Sequence, residues 1–189
     1  MIFLERTRTS LTLAVMLKDD YSPDKKTIGD VFLKATGVRR EIFKHNTGYF
    51  LLTNLPDGKH ILTGSGRFYK PVNLTIDTKS INPKQPFAEL TLSPKSNYPF
   101  PDGFTVLKGK IVDVDYKPLS DVSIKVKLMP QSTTSEEDGG FFIQFAGITG
   151  DKNITLTISK SGYINGNVPV LLKKNIVTRI IDPIMLTRL

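Results

Sequence analysis

The sequence predicts an all-β protein built as two tandem small β-sandwich domains. Short runs of β-branched, aromatic and aliphatic residues recur along the whole chain, punctuated by Gly, Pro, Asn and Asp about every 8 to 12 residues. No segment places apolar residues at i, i+3, i+4 and i+7, the stripe a long helix needs. The second half also repeats turn and strand signals of the first.

The first half is organised around residues 44–58. Asn46-Thr47-Gly48 tolerates positive φ, Tyr49 to Thr53 has high β-propensity, and Leu55-Pro56-Asp57-Gly58 is a second tight turn. Ahead of it, Leu11, Leu13, Val15 and Leu17 alternate with Thr12, Ala14 and Met16, the period of a half-buried strand. Residues 21–29 form a polar loop, and strands are expected at 30–35 and 40–43. Further strands at 59–63, 72–76 and 87–92 complete a first domain over residues 1–92. Residues 93–103 hold three prolines and are expected to act as a short, stiff linker, with Tyr98 and Phe100 packing on a domain.

The second domain, residues 104–189, restarts the pattern with strands at 106–113, 122–128, 141–145, 154–159, 168–172 and 176–186. Asp30-Val31 matches Asp121-Val122, an offset of 91. Gly48-Tyr49-Phe50 matches Gly140-Phe141-Phe142 at 92, and Tyr69 matches Tyr163 at 94. A drifting offset is what loop-length change does to a duplicated domain. The aromatic pairs are expected to alternate between core and flank.

Four motifs make residues 109–163 resemble a carboxypeptidase regulatory-like domain, a transthyretin-like or Ig-like β-sandwich. They are Gly109-Lys110-Ile111-Val112-Asp113, Pro118-Leu119-Ser120-Asp121-Val122, Glu137-Asp138-Gly139-Gly140-Phe141-Phe142 and Lys160-Ser161-Gly162-Tyr163. Residues 11–70 resemble the family more loosely, through Gly29-Asp30-Val31, Gly48-Tyr49-Phe50 and Leu55-Pro56-Asp57-Gly58. Glu136 stands about where that family commonly has Thr. The resemblance implies a non-catalytic accessory module. Tandem domains led by a segment such as Leu4-Glu5-Arg6-Thr7-Arg8-Thr9-Ser10-Leu11 are also similar to accessory proteins of phage-tail-like contractile injection particles.

Composition narrows the chemistry. There is no Cys among the 189 residues, which excludes disulfides, thiolate metal sites and a Cys nucleophile. The net charge of +8 is spread, with fifteen Lys and Arg against ten Asp and Glu in residues 1–104 and eleven against eight beyond. Arg39-Arg40, Lys25-Lys26 and Lys173-Lys174 are isolated doublets, without the clustering and interleaved aromatics of a nucleic-acid surface. Glu5, Arg6 and Arg8 fall where a signal peptide needs an apolar core, and no apolar run reaches the roughly 20 residues of a membrane span. A cytoplasmic protein, or one carried within a released particle, is therefore expected.

His45 and His60 lack the partners of a zinc site, and both are expected at the surface. Asp113, Asp115, Glu136, Glu137 and Asp138 offer hard oxygen ligands for calcium, or turn caps; no metal or cofactor is assigned. No nucleophile elbow or phosphate loop is present, so no enzyme is expected. The expected role is a non-enzymatic structural or adaptor protein of a larger assembly, with other protein subunits as partners. The alternative is a carbohydrate- or cell-surface-binding module. Ile184, Met185 and Leu186, in the apolar C-terminal run, are the candidate partner-binding residues; the other possibility is a final core strand stopped by Pro183.

Overall fold

The computed structural model describes residues 9–38 and 42–189. The leading segment Leu4–Arg8, the Arg39-Arg40 doublet and the start of the expected third strand lie outside them. The protein is all-β, and the chain divides into two compact units, Met1–Ser93 and Pro94–Leu189. Among the described residues no helix is long and apolar enough to cross a membrane.

The first unit contains β1 (Leu11–Lys18), β2 (Val31–Ala35), β3 (Phe43–Lys44), β4 (Phe50–Thr53), β5 (Lys59–Gly66), β6 (Tyr69–Asp77) and β7 (Phe87–Thr91). One sheet runs β3-β4-β1-β7, with β1 antiparallel to β4 and parallel to β7. The other runs β2-β5-β6, ending at the two-residue β8 (Ser93–Pro94), where the chain passes to the second unit. Alternation decides what is inside: Leu13, Val15 and Leu17 of β1, Phe50 and Leu52 of β4, and Val31 and Leu33 of β2 are buried. A short 3₁₀ turn, Thr78–Ser80, is capped by Asp77, whose side chain accepts from the Lys79 N–H.

The second unit contains β9 (Thr105–Asp113), β10 (Ser123–Val126), β11 (Ser132–Thr134), β12 (Gly140–Phe145), β13 (Lys152–Ser159), β14 (Gly166–Leu172), β15 (Val177–Arg179) and β16 (Ile184–Leu186). Its sheets run β11-β10-β13-β14 and β12-β9-β15, with β16 also parallel to β9. Between them lies a core that includes Leu107, Ile111, Ile124, Phe141, Ile143, Leu156 and Ile158.

The units share their hydrogen bonds in detail. In the first, the His45 N–H donates to the Tyr49 carbonyl and the Gly48 N–H to the His45 carbonyl. In the second, the Glu136 N–H donates to Gly140 and the Gly139 N–H to Glu136. Gly48 and Gly139 both have positive φ, +91 and +76. Phe50 is therefore the counterpart of Phe141, not of Phe142 as motif matching suggests, and burial agrees: Phe50 and Phe141 point inward. Thr63 and Asn73 pair side chains across β5 and β6 at 2.7 Å, as Thr157 and Asn167 do across β13 and β14 at 3.2 Å.

Three expectations change. The segment read as a linker folds with the second unit from Pro94 on, and Tyr98 is fully buried there. The single strand expected at 176–186 is two strands, because Pro183 has no N–H to give the ladder. Ser132–Thr134 forms a strand that three polar residues do not announce.

Candidate interaction surface

The outer face of the β3-β4-β1-β7 sheet carries the candidate site. Register sets Phe43 opposite Leu51, Leu51 opposite Ala14, and Ala14 opposite Phe87. Residues directly opposite in neighbouring strands share a face. These four side chains thus make one apolar row across all four strands, on the side away from the core. Phe43 is 65% exposed and Phe87 45%.

Two clefts open along this row. One, of about 550 Å³, is lined by Leu11, Ala14, Tyr49, Leu51, Gln85, Pro86 and Phe87. The Tyr49 and Phe87 rings meet edge to face across it, with centroids 5.6 Å apart. The other, of about 410 Å³, lies where the edge strands β2 and β3 of the two sheets face each other, and Phe32, Ile42, Phe43 and Lys44 line it. Lys44 stands over the Phe50 ring at 5.7 Å, and Lys18 pairs with Glu89 at 2.5 Å near the opposite edge.

The equivalent face of the second unit is built otherwise. There Phe142 pairs with Lys108, and Lys108 with Arg179, in the places of Leu51, Ala14 and Phe87. Residues 94–103 lie over this face as a strap. The Phe100 ring sits 5.1 Å from Phe142 and 4.8 Å from Tyr98. The Lys108 Nζ donates to the Tyr98 carbonyl and stands 4.9 Å from the Phe100 centroid. The Glu136 carboxylate accepts from the Ser96 N–H at 3.0 Å and from its hydroxyl at 2.9 Å. Burial pushes the Lys108 ammonium down to about 8; Arg179 adds to the effect and Glu136 opposes it.

His60 holds the turn that follows β2. It is buried, not at the surface as expected, with Nδ1 2.8 Å from the Thr36 carbonyl and Nε2 2.9 Å from the Pro56 carbonyl. Carbonyl oxygens only accept, so both ring nitrogens donate only when the ring is an imidazolium. The bonds to Thr36 and Pro56 raise its pKa above 6.5, burial opposes them, and Asp77 adds a smaller raising effect. His45 is exposed, with Nδ1 2.8 Å from the Thr47 hydroxyl.

The acidic residues of the second unit do not converge. Asp113 Oδ1 accepts the N–H groups of Asp115 and Lys117, Asp138 Oδ1 accepts that of Gly140, and Glu136 is held by Ser96. The Asp113 and Asp138 bonds are turn caps, whereas Glu136 ties to a residue forty positions earlier. Among the described residues no group of three or more His, Asp or Glu could hold a metal ion. Asp113 has a counterpart in Asp19, which accepts the Tyr21 N–H and takes the Tyr69 hydroxyl at 2.7 Å.

The C-terminal residues named from sequence are mostly unavailable. Ile184 and Leu186 point into the core of the second unit, because β16 pairs with β9 and alternation leaves only Met185 outside. The apolar face that is uncovered among the described residues was missed in the sequence. Its signal was present as Leu11, Ala14, Leu51 and Phe87, but only register assembles them.

No family model matches the chain, and no curated protein matches it. Among solved structures, it overlaps a minor pilin of Streptococcus agalactiae at 13% identity, covering 97% of each chain with a TM-score of 0.35. It overlaps the Bacillus anthracis TIE protein at 14% identity and TM-score 0.35, covering 94% of this chain and 34% of that one. A type II cohesin–X-dockerin complex from Acetivibrio cellulolyticus aligns at 14% identity and TM-score 0.35, over 44% of this chain and 58% of that one. The alignments thus span about a third and somewhat over half of the last two chains. Overlap this partial says nothing about partners.

Proposed function

We propose that this chain is a non-enzymatic protein-binding module, an adaptor that docks in a larger assembly through the outer face of its first unit. The row Phe43-Leu51-Ala14-Phe87 supports this. An apolar row spanning a whole sheet, with a cleft at either end, is what a soluble domain covers with a partner. Assemblies of the phage-tail-like contractile kind are the particular setting that the sequence resemblance names. A carbohydrate site is less well served: stacking a sugar needs an accessible ring face, and Tyr49 and Phe87 meet at an interplanar angle of 74°.

Sedimentation of native lysate from the source cell tests the role, with wild type compared against Leu51→Asp. Leu51 points outward, so the variant keeps its core; Phe43→Ser provides a second, milder change. Wild type should travel in a fast particle and both variants as slow monomer. Wild type recovered only as slow monomer would sink the assembly role.

A further inference from the structure

One buried position is filled differently in the two units. Thr63 and Thr157 match through their Asn partners, at an offset of 94, which sets His60 of β5 against Ile154 of β13. The turns beside them are built alike. The Thr36 N–H donates to the Ile61 carbonyl as the Lys127 N–H does to that of Thr155. The Val38 N–H likewise donates to Ala35, and that of Met129 to Val126. Gly37 and Leu128 both sit at positive φ, +80 and +63. Ile154 belongs to the core of the second unit, so the fold asks only for an apolar side chain here. The first unit instead buries a titratable ring, at 7% exposure.

That ring joins two turns from different sheets. Nδ1 is 2.8 Å from the Thr36 carbonyl, in the turn after β2, and Nε2 is 2.9 Å from the Pro56 carbonyl, in the turn after β4. Both bonds need N–H donors, so both exist only in the imidazolium. A neutral ring keeps one N–H and turns a lone pair toward the other oxygen, where two acceptors repel. The Pro56 oxygen has a second donor, the Thr78 hydroxyl at 3.2 Å, so the Pro56 bond is the one that yields. The two carbonyl bonds favour the charged ring, burial opposes it, and Asp77 at the end of β6 adds to their effect. Among the other described charges nearby in the chain, Asp57, Lys59 and Lys79 are exposed, and Lys59 lies opposite Asp77.

We propose that His60 is a pH-operated latch: as the imidazolium it ties the turn after β2 to the turn after β4, and when Nε2 gives its proton to water the Pro56 turn comes free. The inference is independent of how the outer face of this unit is used. The second unit, with Ile154 in the same place, has no such latch and serves as a control within the molecule.

NMR of the full-length protein with ¹⁵N-labelled histidine tests this from about pH 5 to about pH 9. Both ring nitrogens of His60 should carry protons in acid, and Nε2 alone should lose its proton as pH rises. The Asp57 and Gly58 amide signals should shift with the same midpoint. Exchange of the Gly58 and Thr78 amides should rise about tenfold beyond the chemical rate. The Lys127 and Met129 amides should stay unchanged. His60→Gln should abolish the Asp57 and Gly58 titration, and His45→Gln should preserve it.

A single N–H on the His60 ring at every pH would overturn the latch, as would a titrating ring that leaves Asp57 and Gly58 unmoved. So would Asp57 and Gly58 shifts that persist in His60→Gln. Should that variant not fold, the wild-type midpoints decide: coincidence of ring and amide titrations supports the latch, and separation overturns it.

Discussion

The two units solve one problem in two ways. Each has a sheet whose outer face would strand apolar surface in water. The second unit covers it with Tyr98 and Phe100 and accepts a buried lysine beneath them. The first leaves Phe43, Leu51 and Phe87 uncovered among its described residues. They also differ at one edge. Thr134 pairs with Ser123 of β10, whereas its counterpart Phe43 pairs with Leu51 of β4 on the other sheet. Ser135 explains the difference. Its hydroxyl donates to the Leu119 carbonyl at 2.6 Å and accepts from the Val122 N–H at 3.0 Å, fastening that segment to the start of β10. Lys44, in the equivalent place, cannot be buried so, and its strand goes elsewhere. What differs between the copies is how edges and faces are covered; the cores are alike.

The largest expected effect separates the two matching glycines. A Cβ at Gly139 would lie 2.3 Å from the Ile111 carbonyl, whereas one at Gly48 meets nothing within 4 Å. Gly139→Ala should therefore cost about 3 to 4 kcal/mol, from left-handed strain plus a backbone clash, and Gly48→Ala about 1 kcal/mol, from strain alone. Urea unfolding of the two variants checks this, and equal losses would break the comparison.

The matching tyrosines come next. Tyr69 is buried and its hydroxyl serves both Asp19 and the Ile28 N–H, while Tyr163 accepts an exposed bond from Arg188 at 3.2 Å. Tyr69→Phe takes one of the hydrogen bonds from the buried Asp19 carboxylate and the acceptor from the Ile28 N–H, and should cost about 2 kcal/mol; Tyr163→Phe should cost less than about 0.5 kcal/mol. Ser135→Ala, which orphans two buried backbone groups, should cost about 2 kcal/mol and loosen amide protection at Ser132–Thr134.

Smaller still are opposed pH effects. The pKa of His60 is raised in the fold, so its contribution is complete below 6.5 and is lost as pH climbs through the folded value. That of Lys108 is lowered to about 8 from 10.5, so the unfolded chain binds more protons between those values and stability rises with pH there. Melting curves of His60→Gln and Lys108→Met against wild type should show opposite slopes in the two windows. Parallel slopes would mean that neither ring nor ammonium is held as described.

Alternation and turn chemistry made the strands legible. Leu13, Val15 and Leu17 announced their face, as did Ile124 and Val126, and the Gly48 and Gly139 turns announced the duplication. The binding face was hidden for a physical reason. Phe43, Leu51, Ala14 and Phe87 come from four strands, and only the register Ala14↔Leu51 and Ala14↔Phe87 brings them together. The C-terminal apolar run was legible as apolar but not as buried, since the parallel partner β9 lies some seventy residues earlier. His60 looked like a surface residue because neither carbonyl that holds it leaves a trace in sequence.

The most direct test of the docking face is site-specific photocrosslinking in the source cell. A benzoyl-phenylalanine replaces Phe87 in one strain and Leu171, an equally exposed residue of the second unit, in another. A defined protein adduct at position 87, absent at 171 and abolished by Leu51→Asp, is the predicted result. Adducts at 171 alone, or at 87 undiminished by Leu51→Asp, would contradict it.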